Sequence, residues 1–277
     1  MFKKIAIVGV GLIGGSIGLA VKKRKLAKEV IGVTRRESSR RKALKVKAVD
    51  KATLNLREAV KDADLVIIAA PVGKITGLAG ASVKFMKKGA ILTDVGSTKK
   101  HIVWKIEKFA NKKVHFIGTH PMAGSEKTGV ENATSLIFDK APLIITKTKN
   151  TDKKALLRLK KFWENLGCRT FVLSPEKHDM HASLASYLPH VVSFALSDSQ
   201  TKSSLKFVAA SFKDITRVSS SDPELWKDIF LSARPSVLKS IRVFSKSLKA
   251  LEKAIRKKDA HAVKRFLSKA KSIRDGI

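Results

Sequence analysis

Three features predict the fold class: a glycine-rich turn between an N-terminal strand and a helix, strand–helix alternation that ends near residue 173, and helical periodicity without strands from Pro175 onward. The predicted class is α/β. An N-terminal Rossmann-type doubly wound parallel sheet is expected over residues 1–174, and an all-helical domain over 175–277. A chain of 277 residues is long enough for two such domains.

Phe2 to Val8 is a short apolar run that reads as a buried strand. It enters Gly9-Val10-Gly11-Leu12-Ile13-Gly14-Gly15-Ser16, and a helix is expected over Ile17 to Lys25. This is G-x-G-x-x-G with a strand before it and a helix after it. Gly9 permits the tight turn, Gly11 admits a pyrophosphate close to the backbone, and Gly14 lets helix and strand pack. With Leu12 and Ile13 completing the turn, the free N–H groups and positive end of the helix would hold phosphates. A dinucleotide site is therefore expected here.

The second strand is expected at Glu29 to Val33. An Asp or Glu at its end would bond the ribose 2′-hydroxyl and favour NAD. The chain instead reads Thr34-Arg35-Arg36. A small hydroxyl followed by two guanidinium groups suits a 2′-phosphate, so NADP is the expected cofactor.

Further strands are expected at Asp64 to Ala70, stopped by Pro71, at Ala90 to Asp94, at Val114 to His120, at Leu143 to Thr146 and at Arg169 to Leu173. A helix is expected over Lys153 to Leu166. Beyond it, helices are expected at Pro175 to Ser186, Pro189 to Lys206, Pro223 to Leu231, Arg234 to Lys257 and Ala260 to Ile273. Asp222-Pro223-Glu224 has the residues of a helix start: an N-cap, a first-turn proline and an acid near the positive end.

No apolar run approaches the length of a membrane span, and a cleaved leader would destroy the glycine turn. The single cysteine, Cys168, excludes an intrachain disulfide and reads as a core thiol. Cytoplasmic residence is the expectation. Lys and Arg total 57 against 23 for Asp and Glu, a net charge of +34. Such a field attracts polyanions nonspecifically. The basic residues are spread along the chain, without zinc-finger spacing or a basic region with heptads, so specific nucleic-acid binding is not expected. No metal site is expected.

Three stretches stand together with the glycine turn: Asp94-Val95-Gly96-Ser97-Thr98-Lys99, then Gly118-Thr119-His120-Pro121-Met122-Ala123-Gly124-Ser125-Glu126, then a helical set. The helical set comprises His178-Asp179, Ser186-Tyr187-Leu188-Pro189-His190, Asp214-Ile215-Thr216-Arg217 and Asp222-Pro223-Glu224-Leu225-Trp226. In this order the chain resembles the prephenate/arogenate dehydrogenase family of tyrosine biosynthesis, from Lys4 to about Ser240.

The resemblance implies oxidative decarboxylation of a cyclohexadienol. A ring carbon loses hydride to the cofactor, the ring hydroxyl loses its proton, and the ring carboxylate leaves as CO2. It implies that His120 is the catalytic base, a role suited to neutral imidazole near pH 7. Ser97 matches the serine that bonds the same hydroxyl. Arg217 matches the arginine that binds the side-chain carboxylate, for which a guanidinium fork is suited. His190 matches a second site histidine, whereas His178 and Asp179 are expected to order the helix and domain junction. A homodimer through the helical domains is implied too.

The chain departs from the family where Tyr187 replaces the first histidine of Ser-His-Leu-Pro-His, leaving a phenol donor at the expected substrate site. Ala233 stands where asparagine is common, and Lys213 and Ser219-Ser220-Ser221 replace arginine and alanine-glycine-glycine. These changes surround the side-chain end of the substrate and leave prephenate and arogenate both open. Another small-substrate dehydrogenase of the same architecture, or a non-catalytic binder of nucleotide or nucleic acid, is the alternative reading. The chain ends at Ile277, and no fused regulatory module is expected.

Overall fold

A computed structural model describes residues 2–110, 113–124 and 127–276. Its eight strands are β1 (Phe2–Val8), β2 (Ala27–Val33), β3 (Lys51–Thr53), β4 (Leu65–Ile68), β5 (Ile91–Asp94), β6 (His115–Pro121), β7 (Pro142–Thr146) and β8 (Arg169–Leu173). They form one sheet in the order β3-β2-β1-β4-β5-β6-β7-β8. The helices are α1 (Leu12–Lys23), α2 (Glu37–Lys45), α3 (Leu56–Val60), α4 (Val72–Phe85), α5 (Lys100–Ala110) and α6 (Lys153–Asn165), then α7 (Pro175–Ala182), α8 (Leu188–Asp198), α9 (Ala210–Thr216), α10 (Pro223–Ser232), α11 (Arg234–Arg256) and α12 (Ala260–Asp275).

Strands β4 and β5 are buried at every residue, because helices cover both faces of the sheet. That double cover is why the strands read as unbroken apolar runs rather than as alternating patterns. On α6, Ala155, Leu159, Phe162 and Trp163 form the buried stripe, and Asp152 caps the helix by accepting from the Ala155 N–H. Phe162 meets Phe2 edge to face, which ties α6 to the first strand.

The sheet departs at one edge from the all-parallel arrangement that the sequence predicts. Strands β1 to β6 are parallel, but β7 pairs antiparallel with β6, placing His120 opposite Ile144. A parallel return needs a crossover, usually a helix. Between β6 and β7 the described residues hold only the short 3₁₀ turn Val130–Asn132, so the chain doubles back. Helix α6 then carries β8 alongside β7 in parallel. The three-residue β3, the five-residue α3 and the seven-residue α9 are not among the expected elements, and each is too short for a clear periodic signal.

The segment after β8 is helical, as expected. A π-helical turn, Ser183–Tyr187, joins α7 directly to α8. Helix α10 begins as its sequence indicates, with Asp222 accepting from the Glu224 N–H and proline in the first turn. Residues 1–233 form one compact unit, which holds the sheet and the helices through α10. The second unit, 234–277, is the pair α11 and α12 packed on each other. Among the described residues, no helix is long and apolar enough to cross a membrane.

Candidate active site

The glycine turn lies at the carboxyl end of β1. Helix α1 starts at Leu12, five residues earlier than expected, so Leu12, Ile13 and Gly14 form its first turn. Gly9 has φ +98°, and a Cβ there would lie 2.2 Å from the Ala69 carbonyl oxygen. A Cβ on Gly14 would lie 1.9 Å from the Gly9 carbonyl oxygen. Both positions therefore require glycine. At Gly11 a Cβ would meet nothing within 4 Å. Gly11 is also the N-cap of α1 and supplies no capping side chain. An open backbone face beside uncapped helical N–H groups fits a pyrophosphate.

At the end of β2, the buried Thr34 donates through Oγ1 to the Arg36 carbonyl at 3.3 Å. Arg35 and Arg36 are exposed. The nearest acid, Glu37, is engaged by Arg40 at 2.7 Å through both carboxylate oxygens, and that bond holds its carboxyl down at about 2. Glu37 is thus occupied by arginine, and the two preceding guanidinium groups face solvent. The donor set fits a dinucleotide.

Residues 95–99 follow β5 and carry Ser97, which is half-buried. The loop is anchored along its length. Val95 N–H donates to the Ile68 carbonyl at 3.1 Å, and Gly96 N–H donates to Asp94 Oδ2 at 2.9 Å. Thr98 Oγ1 lies 3.0 Å from Ser232 Oγ. Lys99 is wholly buried, with Nζ 2.5 Å from Asp94 Oδ2 and 3.0 Å from the Thr98 carbonyl. A buried ion pair of this kind contributes little net stability, but losing one partner strands the other charge. Ser97 does not cap α5. The cap comes from a distant residue: Asp179 accepts from the Lys99 N–H at 2.8 Å and the Lys100 N–H at 3.2 Å.

His120 ends the next parallel strand and is 7% exposed. Its Nδ1 lies 2.8 Å from His178 Nε2, and His178 Nδ1 lies 2.8 Å from Asp179 Oδ1. Ionised Asp179 can only accept, so His178 Nδ1 carries the proton. The neutral His178 then accepts at Nε2, and His120 must donate from Nδ1. Nε2 of His120 is left with a lone pair. Burial, then the neighbouring His178 and the charge of Lys99, hold the His120 pKa well below the ordinary histidine value. Burial lowers the His178 pKa, and the hydrogen bond to Asp179 offsets that only in part. His178 and Asp179 therefore do more than order a junction: they fix the tautomer of His120.

His190 stands on α8 with its ring stacked on Trp226, centroids 3.5 Å apart. Its Nδ1 donates to the Ser186 carbonyl at 3.0 Å, leaving Nε2 as the acceptor end. Burial lowers its pKa, and the nearby Arg217 charge lowers it further. Arg217 opens the 3₁₀ turn Arg217–Ser220. That turn is fastened to α8 by hydroxyls: Ser219 Oγ lies 2.7 Å from Ser193 Oγ and 3.0 Å from Ser197 Oγ.

Tyr187 differs from expectation. It is completely buried, and its hydroxyl donates to the Ser97 carbonyl at 2.5 Å. It stands behind the Ser97 loop instead of facing a substrate. Ser125 and Glu126 lie outside the described residues. No cluster of three or more metal-ligating side chains occurs among the described residues.

Sequence reasoning missed the roles of His178, Lys99 and Trp226. The adjacency of His178 and Asp179 was the one available signal, since a histidine beside an acid can form an oriented pair.

The family described as prephenate dehydrogenase, nucleotide-binding domain, matches residues 17–172. The one described as prephenate dehydrogenase, dimerization domain, matches 174–269. Prephenate dehydrogenase from Bacillus subtilis is 34% identical over 280 residues, covering 99% of this chain and 76% of the relative. The crystal structure of prephenate dehydrogenase from A. aeolicus, in complex with hydroxyphenyl propionate and NAD+, superposes with TM-score 0.94 at 33% identity, covering 100% and 98% of the two chains. Synechocystis arogenate dehydrogenase has TM-score 0.85 at 28% identity, covering 99% of each chain.

Proposed function

The chain belongs to the prephenate dehydrogenase family, and we propose that it oxidatively decarboxylates prephenate or arogenate with NADP as the hydride acceptor. The products are 4-hydroxyphenylpyruvate or tyrosine, with CO2. The observation that carries the mechanism is the His120–His178–Asp179 chain, which leaves His120 Nε2 as a proton acceptor.

The glycine turn and the uncapped first turn of α1 would hold an oxidised nicotinamide dinucleotide, which would supply the acceptor for the hydride of the ring carbon that bears the hydroxyl. His120 removes the hydroxyl proton as that carbon becomes ketone-like. The C–CO2 electron pair enters the ring and reaches the oxygen, CO2 departs, and the phenolate takes the proton back from His120 to become a phenol. His178 holds the proton on His120 Nδ1, and Asp179 steadies the imidazolium that forms. Ser97 orients the hydroxyl toward His120. Arg217 and His190 hold the carboxylate-bearing side chain at the far end of the ring.

NADP preference is supported by Thr34 in place of an acid, by the exposed Arg35 and Arg36, and by the engagement of Glu37 with Arg40. Residues 1–174 serve the cofactor, and 175–277 serve the substrate and a homodimer. The dimer reading is supported by the dimerization-domain match and by exposed Val243, Phe244 and Leu248 on α11.

Absorbance at 340 nm, read with each substrate and each cofactor in turn, tests the proposal. Reduced cofactor should form with prephenate or arogenate, and faster with NADP. No turnover in any combination would overturn the activity, and a higher kcat/KM with NAD would overturn the cofactor preference.

A further inference from the structure

We propose that Tyr187 is a positioning residue that sets Ser97 for catalysis, and that the π-helical turn ending at Tyr187 exists to aim it there. The catalytic half of this inference rests on the dehydrogenase reading above.

The segment from α7 to α8 reaches the two catalytic loops at three points. His178 bonds His120, Asp179 bonds the N–H groups of Lys99 and Lys100, and Tyr187 bonds the Ser97 carbonyl. Asp179 and Tyr187 are eight residues apart yet serve one short loop. In an unbroken α-helix, eight residues leave two side chains roughly 80° apart around the axis. The π turn absorbs one extra residue, so the pair is spaced as if seven apart, about 20° off one line. Both side chains then face the same loop.

Tyr187 has no other evident task. It is fully buried, and its hydroxyl reaches a carbonyl that would otherwise need a partner. Burial, with Asp179 nearby, raises its pKa above the ordinary phenol value, so it remains a donor at working pH. The carbonyl it grips belongs to the residue whose hydroxyl meets the substrate. Gripping the Ser97 backbone there leaves the serine side chain to point elsewhere. The other anchors hold 95, 96, 98 and 99, and Tyr187 supplies the one at Ser97 itself.

Tyr187→Phe keeps the ring and removes only the hydrogen bond. Two measurements on the full-length protein test the clamp. In hydrogen exchange, the peptide covering 95–100 should exchange about tenfold faster in Tyr187→Phe, while the core strands stay unchanged. Unchanged exchange in that peptide would overturn the clamp, whether or not the protein turns over substrate.

A double-mutant cycle then tests the link to catalysis. Tyr187→Phe alone should lower kcat roughly 10–100-fold with KM nearly constant, the scale of a misplaced reacting group. In a Ser97→Ala background, which keeps the carbonyl but lacks the hydroxyl, the same change should leave kcat as it is. A purely structural tyrosine would lower kcat equally in both backgrounds, and that result would overturn the positioning role. An unaltered enzyme inactive with both substrates would overturn the dehydrogenase reading and the catalytic link together, while the exchange result would still decide the clamp.

Discussion

His120 and His178 are joined ring to ring, Nδ1 to Nε2 at 2.8 Å, and Asp179 holds the far nitrogen of His178 at the same distance. The chain of acceptors fixes where every proton lies and leaves one basic nitrogen, His120 Nε2. His120→Asn keeps polarity and approximate size but loses that nitrogen. A kcat loss on the order of 10²–10⁴ is expected, the usual contribution of a general base. Affinity for the nicotinamide cofactor, read by fluorescence of its reduced form, should be nearly unchanged. A mutant with near-normal kcat would assign the proton to another group.

The pH profile follows from the same burial. An ordinary histidine base would lose activity below roughly pH 6–7. Here burial and the neighbouring charges hold the His120 pKa well below its usual 6.5. The neutral form is the active one, so kcat should stay flat as pH falls through 6.5 and decline only at lower pH. The linkage to stability has the same sign. The unfolded chain takes up a proton near 6.5 and the folded chain does not. This group's contribution to stability is therefore complete above that pH and is lost as pH falls toward the folded pKa. An acid limb centred at 6.5 or higher, or one that persists in His120→Asn, would contradict this assignment.

Arg217 sits beside His190 on a turn fastened by Ser219 to α8. A carboxylate held there is bound alike in ground and transition states, so Arg217→Ala should raise KM far more than it lowers kcat. Loss of a hydrogen-bonded charge pair with the substrate should cost about 2–5 kcal/mol in kcat/KM. Steady-state kinetics with prephenate and with arogenate decide this. An unchanged KM for both would remove Arg217 from the site.

Thr34→Asp places a carboxylate at the end of β2, where it can accept from a ribose 2′-hydroxyl and repel a 2′-phosphate. The apparent KM for NADP should rise and that for NAD should fall. Equal effects on both cofactors would show that the 2′ position is not read there.

The dinucleotide turn was legible because its signals are backbone requirements carried by single residues. Gly9 must adopt φ +98°, and Gly14 leaves no room for a Cβ. The same holds for the cap at Asp222 and for the buried strands, whose apolar runs report cover on both faces. The antiparallel turn into β7 was not legible, since it depends on a missing crossover helix and β7 itself reads like any buried strand.

Local sequence therefore established the sheet-then-helix order and the phosphate-binding turn, and the family resemblance marked His120 and Ser97 as residues to watch. Their working relationship came from contacts across long stretches of chain. His178 meets His120 over 58 residues, Asp179 meets Lys99 over 80, and Tyr187 meets Ser97 over 90. A side chain's propensity does not encode such pairings. They arise where the carboxyl ends of β5 and β6 come under one helical segment, and where a single π turn rotates Tyr187 into line with Asp179. That geometry changes Tyr187 from an expected substrate contact into a buried support. It also makes Lys99 a fully buried cation paired with Asp94. Burial and long-range packing set those roles, because a buried donor or charge must find its partner wherever the fold places one.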